Sequence, residues 1–237
     1  MRERRVRDLS FIQSYFDALY AILRIVCMQI NNRQKIIEEV FNSITHGIGA
    51  IFAITGLLVF LLIRGKFSGN LKDISFSIFT VSLIVMFVMS VLAHSLSFTK
   101  AKKLFLIFDH ASIFLLIAGT YSPFALLSLK GISGVILLIV VWLLALGGIL
   151  FKAIFTEKLK ILTLVLYLVM GWIGIVVIYP LFLAVKHIVF ILLVLGGLSY
   201  SVGTIFYCSK KIRFNHAIWH LFVLLGGALH FFAVYLV

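Results

Sequence analysis

The chain has 237 residues, 63% of them hydrophobic and only 12% charged, a balance that excludes a water-soluble domain of this size. Its formal charge of +13 would suit nucleic acid, but the basic residues fall in short stretches between apolar runs rather than on one folded face. Membrane topology accounts for them, and no nucleic-acid partner is expected.

The chain opens MRERRVRD, and no apolar stretch with a small-residue cleavage site follows, so a removable signal peptide is not expected. Across residues 9–30, Leu9, Ile12, Phe16, Leu19, Leu23, Val26 and Ile30 recur at alternating spacings of three and four, one stripe of a helix. Gln13, Asp17, Arg24 and Gln29 make this a poor span. Residues 1–36 therefore read as a basic N-terminal segment whose amphipathic helix lies on the inner membrane surface or against a bundle formed by residues 37–237.

Seven apolar runs follow, near 43–63, 74–96, 107–128, 132–151, 160–180, 185–207 and 216–236. At about 1.5 Å per helical residue, each can cross a hydrocarbon core about 30 Å thick. The expected fold is an all-α, polytopic seven-transmembrane bundle. Lys and Arg test its orientation: seven lie in the N-terminal segment and three after each of spans two, four and six, sixteen in all, against five in the other loops. That asymmetry predicts a cytoplasmic N-terminus and an outside C-terminus. Gly-Gly pairs at 147–148, 196–197 and 226–227 read as close-packing sites between helices. Pro123 is expected to loosen span three by freeing a backbone carbonyl. Cys27 and Cys208 both fall on the predicted inner side and read as reduced, inert thiols.

Ionisable groups within a membrane are costly and face a cavity or a partner. On this topology His46 ends span one from inside, His94 ends span two, Asp109 and His110 begin span three, and His216 and His220 begin span seven. Five histidines and an aspartate, far apart in sequence, thus reach one membrane level. His216 and His220, at i and i+4, share a helix face and can reach one ion, with His94 as a third ligand from another helix. Zinc commonly takes three protein ligands plus water in catalytic sites, and neutral imidazole suits it. Packing and interfacial anchoring are the alternatives for these histidines. Asp109 is placed to accept a hydrogen bond from a zinc-bound water or, alternatively, to pair with Lys102 or Lys103. Ser90, one turn before His94, either contacts that water or a substrate carbonyl, or bonds back to its own helix. His46 is either a neighbour of the cluster or a link between spans, continuing a polar face from Glu38, Glu39 and Asn42. His230, about 15 Å deeper than His220, is out of reach of the same ion, and His187 belongs to the outer side.

Four separated motifs, EEVFNSITHGIGA, SVLAH, FDHASIFLLIAGTYSPF and NHAIWHLFVLLGGALHF, resemble the hemolysin III family, which is related to the progestin and adipoQ receptors and to the alkaline ceramidases. The resemblance covers residues 36–237. It implies a seven-helix bundle with zinc near the cytoplasmic side, held by His94, His216 and His220, with Asp109 bonded to a water and Ser90 beside it. One departure is Ala93, where the family usually has tyrosine before the span-two histidine. The resemblance further implies location in the bacterial inner membrane and, by analogy with its relatives, a zinc-dependent hydrolase acting on amide or acyl bonds of membrane lipids, ceramide-like or otherwise. Two alternatives stand beside it: a receptor or homeostasis protein with a structural zinc, completed by His110 or His46, and a cytolytic activity. Against the last, the chain is apolar throughout, unlike pore formers released as soluble protein.

Overall fold

The computed structural model describes residues 2–63, 69–155, 159–209 and 211–237, and for 2–23 and 25–31 the backbone alone. Among the described residues there are eight α-helices and no strand: α1 (Arg2–Ile63), α2 (Leu71–Ser95), α3 (Lys102–Pro123), α4 (Ile132–Phe155), α5 (Lys160–Trp172), α6 (Ile178–Ala184), α7 (His187–Cys208) and α8 (Asn215–Leu236). A π-helical turn, Phe124–Ser128, extends α3, and a 3-10 turn, Ile173–Val177, joins α5 to α6. The chain divides into two compact units, Met1–Glu39 and Val40–Val237, and the bundle and the site described below belong to the second. The amphipathic stripe expected at 9–30 and Cys27 lie outside the described side chains; Cys208 is a free, exposed thiol.

Seven segments are long and apolar enough to cross a membrane: Asn32–Ile63, Leu71–Ser95, Lys102–Ser128, Ile132–Phe155, Lys160–Ala184, His187–Cys208 and Asn215–Leu236. The seven-span expectation is met. The first starts earlier than hydropathy suggested; every other boundary agrees within five residues. The protein is a multi-pass integral membrane protein. α4 shows why its surface needs lipid: Gly134, Leu137, Val141, Ala145 and Gly148 are buried, while the opposite face exposes Ile136, Ile139, Leu143 and Leu150. A helix apolar all round finds no aqueous side.

α2 is the central element. Phe76 stacks on Phe60 of α1 at 3.9 Å and meets Phe231 of α8 edge-on at 5.6 Å. The absence of a side chain at Gly49 admits the Phe87 ring, and Gly119 of α3 sits directly on Ser82. Hydroxyls along these helices bond back to their own backbone, Thr80 to Phe76, Ser82 to Ile78 and Thr120 to Leu116. They are therefore not left unsatisfied inside the bundle.

The Gly-Gly pairs divide their labour. Gly148 lies under Phe114, Gly196 under His230 and Gly226 under Tyr200, and Gly227 faces Leu83. Gly147 touches nothing within 4 Å and is exposed, so the close-packing expectation does not hold there: it lies on the outward face of α4.

Pro123 does loosen its span, since the α-helix passes into the π turn immediately after it and Leu129 N–H closes that turn on Phe124 O at 3.0 Å. A second interruption was not anticipated: span five breaks at the 3-10 turn, with Pro180, which has no N–H to donate, in the helix beyond. Tyr121 of α3 holds the break, its hydroxyl donating to Gly171 O at 2.6 Å and accepting from Gly174 N–H at 2.9 Å. Tyr121→Phe leaves both backbone groups without their partner, and a loss of about 1–3 kcal/mol is expected. Denaturant unfolding in detergent micelles measures it; unchanged stability would mean that the bridge holds nothing.

Candidate metal centre and its cavity

Three helix ends supply the site. α2 ends at Ser95, one residue after His94, with Leu96 N–H bonded to Leu92 O at 3.0 Å and Ser97 N–H to His94 O at 3.2 Å, so Ser90 and His94 occupy its last turns. α3 brings Asp109 in its second turn. α8 begins without a side-chain cap, after Phe214 in the left-handed region (φ 58°), and Asn215 Nδ2 donates to Tyr207 O of α7 at 3.1 Å. That tie fixes where the helix starts, and thereby the face on which His216 and His220 stand.

The structure brings together the three histidines named from sequence. Each of His94, His216 and His220 offers a ring nitrogen, all within 4.8 Å of one another. His94 Nε2 lies 3.3 Å from His216 Nε2. Ring centroids are 4.8 Å apart for His94 and His220 and 4.7 Å for His216 and His220. His94 and His220 are buried, and His216 is half-buried.

The donor set fits a metal ion. Two nitrogens each about 2.05 Å from a tetrahedral zinc stand about 3.3–3.4 Å apart, the separation found between His94 and His216. The Nδ1 of His220 is buried without a hydrogen-bond partner, which a buried polar atom seldom is unless something else engages it. Three imidazoles with no carboxylate among them also form a donor set suited to zinc, copper, iron or nickel.

Asp109 and Ser90 stand beside this trio, lining the same cavity, but neither belongs to the three-ligand group. Ser90 differs from its neighbours on α2: its hydroxyl is buried without a well-formed bond, not returned to its own helix, and is directed toward the Asp109 carboxyl. His94, His110 and Lys152 are charged or titratable neighbours of that carboxyl. His110 Nδ1 donates to Leu106 O at 2.7 Å, and its own carbonyl accepts from the Tyr167 hydroxyl at 2.6 Å, tying α3 to α5.

Two residues join the site that the sequence left open or passed over. His46 of α1 stacks on His220 with centroids 3.8 Å apart and meets Phe87 edge-on at 5.1 Å, both its ring nitrogens buried without partners. Lys152, counted above as a loop cation, is 2% exposed inside α4 and lines the cavity. The cytoplasmic tally accordingly drops from sixteen to fifteen. A signal for it existed: Gly134, Leu137, Val141, Ala145, Gly148 and Lys152 follow one another at spacings of three and four, and the lysine ends the buried stripe.

The cavity holds about 210 Å³. An engineered apolar cavity of about 150 Å³ takes up benzene, so there is room here for a hydrocarbon segment. Ser90, Asp109, His110, Lys152, His216 and His220 are among its polar side chains, and Leu116, Ile117, Phe124 and Leu181 among its apolar ones. His230 also lines it, but Nε2 donates to Leu193 O at 3.1 Å and the ring packs edge-on against Tyr200, apart from the trio as the helical rise predicts. His187 meets only the Phe182 ring among the aromatic contacts, at 5.4 Å.

Comparison with known proteins relates the chain as a whole to others. The family model described as haemolysin-III related matches residues 34–231. The chain is similar to the hemolysin-3 homolog of Bacillus subtilis (strain 168), 48% identical over 197 residues that cover 83% of this chain and 92% of that one. It is likewise similar to hemolysin-3 of Bacillus cereus, 45% identical over 201 residues covering 85% and 92%. A more distant likeness, 29% over 206 residues covering 84% and 83%, is to the monocyte to macrophage differentiation factor of Homo sapiens.

Proposed function

The chain belongs to the haemolysin-III related family, and from that premise we propose that it is a zinc-dependent membrane hydrolase cleaving an amide or acyl bond of a lipid, ceramide-like or otherwise. One observation carries the reading: three imidazoles able to share an ion, two of them lining a largely apolar cavity, stand with a buried carboxyl and a buried hydroxyl of the same lining. His94, His216 and His220 would hold the zinc. When bound, zinc supplies a polarised carbonyl and water whose pKa is brought down toward about 7.

The chain's own groups do the rest. An Asp109 carboxylate oxygen orients the attacking water and takes its proton, then returns that proton to the leaving amine or alkoxide. Ser90 Oγ–H donates to the oxygen that gains charge as the carbonyl is attacked. Lys152, buried in the same wall, is a charged neighbour of that carboxyl. The apolar wall takes the acyl chain and keeps bulk water away. The excess of fifteen basic residues over five supports a cytoplasmic N-terminus and a site on the same side. The bacterial relatives point to the cell membrane.

Metal analysis of the purified protein, with membrane lipids followed by mass spectrometry during incubation, tests the reading. Stoichiometric zinc and the release of a fatty acid from one lipid class are expected. Absence of zinc would sink the proposal; zinc without turnover of any membrane lipid would favour a structural metal in a receptor or homeostasis protein. The relatives' names favour a second reading, cytolysis. Dye leakage from liposomes at unchanged rates after removal of the metal would support it over hydrolysis.

A further inference from the structure

A histidine that binds a metal through one ring nitrogen carries its proton on the other, and the group accepting that proton fixes the ring's tautomer and aim. For His94 the metal-facing atom is Nε2, 3.3 Å from its counterpart on His216. The opposite atom, Nδ1, lies 3.4 Å from Nδ2 of Asn42 on α1. Asn42 is 2% exposed, and its side-chain oxygen, Oδ1, is buried without any partner. Its main-chain carbonyl lies beside the ring of His220.

These contacts are mismatched in one respect. With Nε2 committed to an ion, Nδ1 presents N–H, and facing the Asn42 amide nitrogen it would oppose donor to donor. A half-turn of the amide exchanges oxygen and nitrogen within the same volume. That exchange turns the Nδ1 contact from donor facing donor into donor facing acceptor and gives Oδ1 the partner it lacks.

We propose that Asn42 is the positioning residue of the metal centre, its Oδ1 accepting the Nδ1–H of His94 and holding Nε2 toward the ion shared with His216 and His220. This rests on the metal reading above. It also gives α1, which contributes none of the three ligands, a direct hold on the site from a side no ligand helix occupies. The role differs from that of His46, one turn further along α1, whose ring stacks on that of His220.

The test compares wild type, Asn42→Leu and Asn42→Asp in the full-length, detergent-purified protein, titrating zinc against a chromophoric chelator and recording thermal unfolding of each. Leucine keeps the branching at Cγ and removes the acceptor; aspartate restores an acceptor oxygen. Zinc affinity is expected to fall about 10–100-fold in Asn42→Leu and to stand at or above the wild-type value in Asn42→Asp. Nitrogen-15 spectra of histidine-labelled protein supply a second readout, in which wild-type His94 is protonated at Nδ1 and Asn42→Leu loses that fixed tautomer. Unchanged affinity in a folded Asn42→Leu protein, or equal losses in the two variants with no change in tautomer, would overturn the proposal while leaving the metal centre standing. A wild type that binds no zinc overturns both.

Discussion

Replacing His220 with alanine is expected to strip the metal from the purified protein, lowering zinc affinity by more than ~100-fold, beyond the ~10–100-fold that loss of an outer hydrogen-bond partner costs. Removing one of three imidazoles leaves two, and two nitrogen donors do not hold zinc against water as a three-ligand site does. His220 is also where the environment is tightest: it is 2% exposed, stacked on His46, and within 5 Å of the ring centroids of both His94 and His216. Alanine there opens a cavity under His46, so packing and ligation are lost together. His216→Ala separates the two effects, because His216 is half-buried and its truncation disturbs little else. Equal loss of zinc from both variants, with His216→Ala keeping the unfolding temperature of the metal-free wild type and His220→Ala falling below it, is the expected pattern. Zinc retained at full stoichiometry in either would remove these histidines from the site.

Asp109→Asn is expected to keep the zinc and lose the chemistry. The carboxyl lies outside the three-histidine group, so the amide leaves the ligand set intact, whereas the amide cannot take a proton from water. A positioned general base contributes about 10²–10⁴-fold, and lipid turnover should fall by that factor, seen as loss of fatty-acid release. Asparagine fills nearly the same volume between Ser90, His110 and Lys152, so the unfolding temperature should stay close to wild type. Turnover at the wild-type rate would strip Asp109 of its role. A parallel loss of zinc would make it a ligand instead.

The reach of sequence reasoning follows from what each feature depends on. The seven spans were legible because crossing a membrane is a property of a single segment, its length and its apolarity. The meeting of His94 with His216 and His220 was legible for a related reason: once alternate spans run in opposite directions, residues at matching ends share a depth. Rotation about the helix axis is harder to read. Lys152 was assigned to a loop because it stands one residue beyond the run 132–151, yet its place on the buried stripe of α4 determines where it points. His46 was left open between two roles because its contact with His220 requires knowing which face α1 turns toward α8. Asn42 was noticed only as part of a polar face; its approach to His94 joins residues 52 apart. The break in span five escaped hydropathy altogether, because Gly171, Gly174 and Pro180 lie in a run whose apolarity is uninterrupted.

That break and the π turn after Pro123 also divide the bundle mechanically. The helices carrying the candidate ligands, α2 and α8, run 25 and 22 residues without interruption and behave as stiff rods. The jointed spans are three and five, and Tyr121, Phe124, Gly171 and Gly174, at or beside the two joints, line the cavity wall. A guest bulkier than the space can therefore be accommodated by bending these two walls, while the rods that set the spacing of the imidazoles keep their geometry. Compliance and coordination are assigned to different helices, so variation in what fills the cavity need not be transmitted to the ion.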